Sequence, residues 1–328
     1  MNSTPLLIIN DAAARARRAL PYIQQQLDQN GVRYDLHRTT APGDATSRAR
    51  TAIEEGCSLI GVVGGDGTLS EAAGGYFTVS NHDDLPTAIN PAAAIAILPS
   101  GTGNDFARTL MGKRAEIDHW IQAFITYARD PNEKNTRVVD AIRARTDNYR
   151  RHVICINAST LGLGGETAAR VAAQGQSMRR FSGETRFVAA ALGALAAWRE
   201  RPVKVRIDDE IVIEGPMNLL AVANARFAGG GMMLSPQAEL DDARLDVVTA
   251  SGLSRPGILH ELTRIHEGGH VANPKVKIVQ GRSVDIQTVA PEDALLIEID
   301  GNVSGRTPAD YRIIPNAIRI VFVKDRKE

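Results

Sequence analysis

The chain has 328 residues, 43% of them hydrophobic and 23% charged, and its 38 basic side chains balance its 38 acidic ones. That length and composition describe an ordinary globular protein with room for two cores. A net charge of zero excludes a whole-molecule field for nucleic acid, and no window offers the roughly 18 apolar residues of a spanning helix.

In chain order, the first third alternates strand and helix signals. Residues 6–9 form a short buried strand, 12–30 an Ala- and Arg-rich helix stopped by Gly31, and 32–38 a second strand. Residues 46–55 read as a helix closed by Gly56. Residues 59–63 are a buried strand that runs into Gly64-Gly65-Asp66-Gly67-Thr68, and a helix starts at Leu69. Residues 94–98 are another strand, ending at Pro99-Ser100-Gly101-Thr102-Gly103-Asn104-Asp105. Such alternation predicts βαβ units and a mostly parallel sheet. After the polar segment 129–135 short β-type runs dominate, with helices expected only over 184–200 and 256–267. The expected fold is an α/β nucleotide domain over 1–136 and a β-rich, sandwich-like domain over 137–311. Residues 312–328 are expected to return to the first.

The two glycine loops carry the chemistry. Each follows a buried strand and precedes a helix, so glycine-permitted turns can aim backbone N–H groups and a helix N-terminus at one anion. Two such loops at carboxyl ends of parallel strands would face one crevice. Neither has the Gly-Lys-Ser/Thr of a Walker loop, and neither is Gly-x-Gly-x-x-Gly.

Gly64-Gly65-Asp66-Gly67-Thr68 followed by Leu69-Ser70-Glu71 resembles the nucleotide loop of the diacylglycerol kinase catalytic-domain family. The same five residues occur in NAD kinases and related phosphofructokinases, so alone they mark a superfamily. Leu98-Pro99-Ser100-Gly101-Thr102-Gly103-Asn104-Asp105-Phe106-Ala107-Arg108 is similar to the lipid-kinase second loop. Further matches are Thr39 with Gly43-Asp44-Ala45, Gly229-Gly230-Gly231-Met232 with Ser235-Pro236, and Asp300-Gly301. The resemblance implies a fold like that of NAD and diacylglycerol kinases, and an ATP- and Mg²⁺-dependent kinase acting on a lipid alcohol. It implies ATP contacts at Asn10, Thr39, Gly64, Gly65, Asp66, Gly67, Thr68, Leu69, Ser70, Gly101 and Thr102, with Asp66 also facing the γ-phosphate. It implies a Mg²⁺ loop in which Asp242 supplies the carboxylate and Glu239 and Arg244 supply backbone oxygens. Here Ala243 stands where the family has glycine, at a cost of about 1 kcal/mol if φ is positive. Where the family carries Asp-Gly-Glu, this chain has Asp300-Gly301-Asn302. An amide cannot take a proton, which leaves Asp300 as the expected base.

Two other readings share these residues: a kinase for NAD or another small molecule, and a nucleotide or lipid sensor that lost its base. The expected setting is cytoplasmic, with transient contact at the inner face of the membrane, no nucleic acid, and a homodimer left open. Cys57 and Cys155, in no metal or disulfide pattern, fit a reducing compartment, as does the absence of a signal peptide. His266-Glu267-Gly268-Gly269-His270 matches a zincin pattern, but its two glycines cost roughly 2 kcal/mol of helix propensity, so a helix end with a surface or interdomain histidine is expected. Ser177-Met178-Arg179-Arg180-Phe181 could rest on anionic lipid. Phe187, Ala191, Leu195 and Trp198 are expected in the core, Met232-Met233-Leu234 fits core or an acyl pocket, and Gly162-Leu163-Gly164-Gly165 is a turn without assigned chemistry.

Overall fold

The computed structural model describes residues 4–78, 84–113, 116–175, 178, 181 and 183–323. The chain divides into two compact units, residues 1–141 with 314–328, and residues 142–313.

The first unit is built from β1 (Leu6–Ile9), α1 (Ala14–Gln29), β2 (Asp35–Arg38), α2 (Asp44–Glu54), β3 (Leu59–Gly64), α3 (Asp66–Gly74), β4 (Ala94–Pro99), α4 (Asp105–Met111) and α5 (Ile117–Arg129). Its strands run parallel in the order β2-β1-β3-β4, and residues 319–320 of the last strand lie parallel beside β4. β1 and β3 are buried along their whole length, as the unbroken apolar runs require when helices cover both faces. α1 buries Ala16, Leu20, Ile23 and Leu27, one stripe at helical spacing. α5 was not expected from the sequence, yet Trp120, Ile121 and Phe124 on it are fully buried. A side chain at Gly61 on β3 would bring its Cβ to 2.4 Å from Leu7 Cδ2 and 2.8 Å from Phe124 Cε2. Gly61→Val is therefore expected to destabilise this unit by about 1–3 kcal/mol through overpacking, seen as a lower urea midpoint in circular dichroism. An unchanged midpoint would contradict the packing described here.

The second unit begins within β5 (Thr136–Thr146) and continues through β6 (Arg151–Cys155), β7 (Ala158–Gly162), α6 (Leu163–Ala172), α7 (Gly183–Ala197), β8 (Arg201–Ile207), β9 (Ile211–Met217), β10 (Leu219–Ala223), β11 (Phe227–Ala228), β12 (Met232–Met233) and β13 (Leu245–Ala250). It ends with α8 (Arg255–Arg264), β14 (Val276–Gly281), β15 (Ser283–Thr288), β16 (Leu296–Ile299), β17 (Asn302–Arg306) and the first part of β18 (Ala309–Val321). One antiparallel sheet runs β14-β13-β10-β7-β16-β17. A second set pairs β9-β8-β15-β18, with β5 between β18 and β6. Leu161, Val222, Val247 and Ile297 from the first meet Ile142, Val205, Ile286 and Tyr311 from the second in a single apolar cluster. The architecture is the expected one: an α/β unit with a parallel sheet, then an antiparallel sandwich-like unit.

The glycines after β7 serve packing. A Cβ at Gly164 would fall 2.4 Å from Thr160 Oγ1, and one at Gly165 only 2.2 Å from the Leu296 carbonyl oxygen, so α6 lies directly against β7 and β16. No helix among the described residues is long and apolar enough to cross a membrane. Leu195 and Trp198 are core residues as expected, whereas Val188 and Leu192 on α7 are exposed. Ser177, Arg179 and Arg180 lie outside the described residues.

Candidate active site

In the first unit, the strand order places β1 and β3 at the point where the chain changes direction across the sheet, the position at which parallel sheets open a crevice. Every nucleotide residue expected there lies on a segment that leaves a strand's carboxyl end or on the helix that follows it. Asn10 follows β1 and Thr39 follows β2. The first loop closes β3 and opens α3, and the second closes β4. Asn10 Nδ2 donates to Thr68 Oγ1 at 3.3 Å, joining the β1 end to the first loop and leaving the Thr68 hydroxyl proton free to donate. The Thr39 N–H is tied to the Ile9 carbonyl. The neighbouring segment is pinned to α3, because Glu71 Oε2 accepts the Gly43 N–H at 3.1 Å.

The loops are locked to each other. A Cβ on Gly101 would fall 2.5 Å from the Gly65 Cα, and one on Gly65 would fall 3.1 Å from the Gly101 Cα, so here glycine is needed for close approach. The Ser100 N–H donates to the Gly64 carbonyl at 2.8 Å. Asn104, at φ 51°, accepts the Gly101 N–H at 2.8 Å and closes the second loop on itself. Thr102 is exposed at its tip.

Asp66 corrects the expectation for both loops. Its two oxygens accept the backbone N–H groups of Asp105, at 3.1 Å, and Phe106, at 3.0 Å. The carboxylate of the first loop thus occupies the positive end of α4, the place the sequence reserved for phosphate. Burial pushes its pKa up, and the N–H donors pull it down. Of the helices that follow the two loops, this leaves the start of α3 rather than that of α4 for an anion, with Asp66 as the strut that sets the second loop beside it. Thr68, Leu69 and Ser70 are all buried at the start of α3. Arg15 was missed in the sequence; from α1 its Nη1 donates to the Gly101 carbonyl at 3.3 Å, bringing a cation to the second loop.

In the second unit, β16 and β17 form a hairpin in which Ile299 pairs with Asn302. Asp300, at φ 47°, and Gly301, at φ 90°, form its two-residue turn, both in the positive range of a type I′ hairpin. Asp300 is only 3% exposed. Its Oδ1 accepts the Asn157 and Ala158 N–H groups, each at 3.0 Å, and the Cys155 thiol at 3.3 Å. Its Oδ2 accepts the Ile156 N–H at 2.9 Å. Burial and the adjacent Asp300 charge hold the Cys155 thiol well above its ordinary pKa. Three donors crowd Oδ1 and one sits on Oδ2, so the carboxylate expected as the base also anchors the bend between β6 and β7. Asn302 is exposed beside it.

Glu298 lies two residues earlier. Its Oε2 accepts the Thr160 hydroxyl at 2.5 Å, and its Oε1 accepts the Gly301 N–H. Burial pushes its pKa up to about 7, opposed first by the Thr160 and Gly301 bonds and assisted by the Asp300 charge. Only the acidic character of the hairpin hinted at this residue.

The candidate metal loop contains no group of three or more His, Cys, Asp or Glu able to hold an ion, among the described residues. Asp242 would supply a single carboxylate and backbone oxygens of Glu239 and Arg244 the remainder. Ala243 has φ 58°, the strained conformation anticipated. Burial raises the Asp242 pKa and the Glu239 charge adds to it, while the Arg244 N–H donates to Asp242 Oδ1 at 3.0 Å. Mutually repelling oxygen donors suit a hard divalent cation. His266 and His270 do not form a zinc pair. The helix breaks at Gly268, and His270 Nε2 hydrogen-bonds the Leu234 carbonyl at 3.1 Å. His266 is exposed at the helix end, whereas His270 is 3% exposed and burial lowers its pKa.

Known proteins share these features. Residues 4–143 match the family model described as the diacylglycerol kinase catalytic domain. Residues 162–322 match the YegS C-terminal NAD kinase beta sandwich-like domain. The diacylglycerol kinase of Staphylococcus carnosus is 24% identical over 95% of this chain and 92% of its own length. That of Bacillus subtilis is 22% identical over 98% and 97%. The crystal structure of a diacylglycerol kinase from Bacillus anthracis superposes with a TM-score of 0.64 at 21% identity, covering 98% of this chain and 97% of that one. Yeast NADH kinase shares the fold at a TM-score of 0.53 and 11% identity, covering 99% of this chain and 85% of that one. The chain thus carries a diacylglycerol kinase catalytic domain followed by a YegS-type C-terminal NAD kinase beta sandwich-like domain.

Proposed function

We propose that the chain transfers the γ-phosphate of ATP to the hydroxyl of a lipid. The observation that carries this reading is the pair of strand-end glycine loops, held together by Asp66 and by the Gly65–Gly101 contact, in a chain with a family domain in each unit. Asn10, Thr39, residues 64–70, Gly101 and Thr102 would hold ATP, with the start of α3 and Arg15 facing phosphate oxygens. Phosphoryl transfer asks chiefly for positioning and charge neutralisation, which backbone N–H groups and a helix end supply without rearranging. When bound with ATP, Mg²⁺ neutralises charge on the phosphates; a structural Mg²⁺ would sit on Asp242 and the backbone oxygens of Glu239 and Arg244. Phe181, 57% exposed, lies in sequence just before α7, whose Val188 and Leu192 are also exposed. These residues suit brief contact with a bilayer surface at the inner face of the membrane.

The test is transfer of labelled γ-phosphate from ATP with Mg²⁺ into diacylglycerol, phosphatidylglycerol, sphingoid base, ceramide or a prenol in mixed micelles. A labelled lipid, absent with Asp66→Ala, is the expected result. ATP binding without label in any lipid would overturn it and favour a nucleotide sensor, the reading to which Asn302 in place of a carboxylate points.

A further inference from the structure

We propose that the second unit carries a site of its own for a phosphate group, on the outer face of the strands β8-β15-β18-β5. The pleat fixes which residues lie there. Ala144, Val205, Val284, Ile286 and Tyr311 belong to the apolar cluster, so their neighbours Arg143, Arg145, Arg206, Asp285, Asp310 and Arg312 lie on the opposite face. All of these but Arg143 line a groove of about 290 Å³, together with Tyr149 and Asp209 from the adjoining turns. Arg206 stands across from Asp285, and Arg312 across from Ser283, so the two guanidiniums rise from the two strands that flank β15. The site needs neither the glycine loops nor the kinase reading.

The acids of the groove are already engaged. Asp310 Oδ1 faces Arg143 Nη2 at 3.1 Å, and its Oδ2 accepts Arg145 Nε at 2.7 Å. Asp285 would be the natural partner of Arg206, yet it accepts the Tyr149 hydroxyl at 2.9 Å and the Gln287 amide at 2.8 Å. Asp209, whose side chain is 90% exposed, stays 3.9 Å from Arg206, beyond hydrogen-bond reach. Arg312 is exposed and has no side-chain partner among the described residues. Four arginines thus meet three aspartates, and the guanidiniums of Arg206 and Arg312 are left with donors to spare. Two such forks suit the several oxygens of a phosphate group. The turn between β5 and β6 holds the device together at a cost. Asp147, Asn148 and Tyr149 take φ of 51°, 59° and 64° in succession, a strained run for residues other than glycine. It brings Tyr149 to the groove, with its ring 5.7 Å from the Arg145 guanidinium and its hydroxyl on Asp285. Tyr149 is a positioning residue: by occupying Asp285 it keeps that carboxylate from neutralising Arg206.

The experiment compares the full chain with Arg206→Gln, Arg312→Gln and Tyr149→Phe at low salt. Inorganic phosphate and glycerol phosphate are titrated by calorimetry, and phosphatidylcholine vesicles with and without phosphatidic acid are sedimented with each protein. Phosphate taken by the glycine loops is common to all four proteins, so the differences between them read the groove. Each Arg→Gln change should weaken binding roughly 10- to 100-fold, the loss of a charge-assisted hydrogen-bond pair. Tyr149→Phe removes no charge, yet should weaken it about 2- to 10-fold as Asp285 turns to Arg206. Added salt should lower the wild-type affinity toward that of the variants. Sensitivity to these changes with the soluble anions assigns a free phosphate ester, and sensitivity with the phosphatidic acid vesicles alone assigns a lipid headgroup. No binding, or the same affinity in wild type and both Arg→Gln variants for every probe, overturns the site. Should an Arg→Gln variant melt early, Arg312→Lys decides: it keeps the charge but not the fork, and an unchanged affinity overturns the proposal while a weakened one supports it.

Discussion

Asp66→Ala is expected to abolish measurable ATP binding and to destabilise the first unit by about 2–6 kcal/mol. The estimate follows from the two backbone donors it strands. The Asp105 and Phe106 N–H groups point at the Asp66 oxygens, and each unpaired buried donor costs about 1–3 kcal/mol. Without the carboxylate, the start of α4 keeps only its own Asp105 as an acidic partner and the second loop loses its fixed distance from the first. Asp66→Asn should fall between, since its amide oxygen can serve one N–H while its NH₂ opposes the other. Calorimetric ATP titration with amide exchange at Asp105 and Phe106 reads both effects. Near-normal affinity and protected amides in Asp66→Ala would refute the strut.

Asp300→Ala is expected to cost the second unit at least about 3 kcal/mol, because the Ile156, Asn157 and Ala158 N–H groups would be buried without an acceptor. Loss of stability, rather than of rate alone, would mark the residue as a structural anchor. Thermal unfolding should show an early transition, with ATP affinity retained by the first unit. An unshifted melt with slowed turnover would return Asp300 to the chemistry.

Much of this was legible in the sequence, for a physical reason. Strands such as residues 59–64 are continuous apolar runs, and glycine loops announce where a chain must turn sharply. The parallel sheet and the two glycine loops at its strand ends follow from those local signals. The side chains' partners do not. Nothing near Asp66 in the chain reveals that its acceptors' donors lie 39 and 40 residues away. Asp300 is the expected base by resemblance, since Asn302 cannot take a proton; where its lone pairs point is set by β7, 142 residues distant. α5 was not expected although Trp120 and Phe124 share a helical stripe, and the slot at Gly61 that receives Phe124 belongs to a strand far earlier in the chain.

The contact between Gly65 and Gly101 is backbone against backbone. A bulky side chain meeting a small one can be traded for the reverse pair, but here no complementary exchange exists, since neither partner has anything to give up. The two positions are therefore frozen jointly, and the spacing between the loops is written into main-chain geometry. Divergence in this protein is free to rework other surfaces while these two loops keep one fixed gauge.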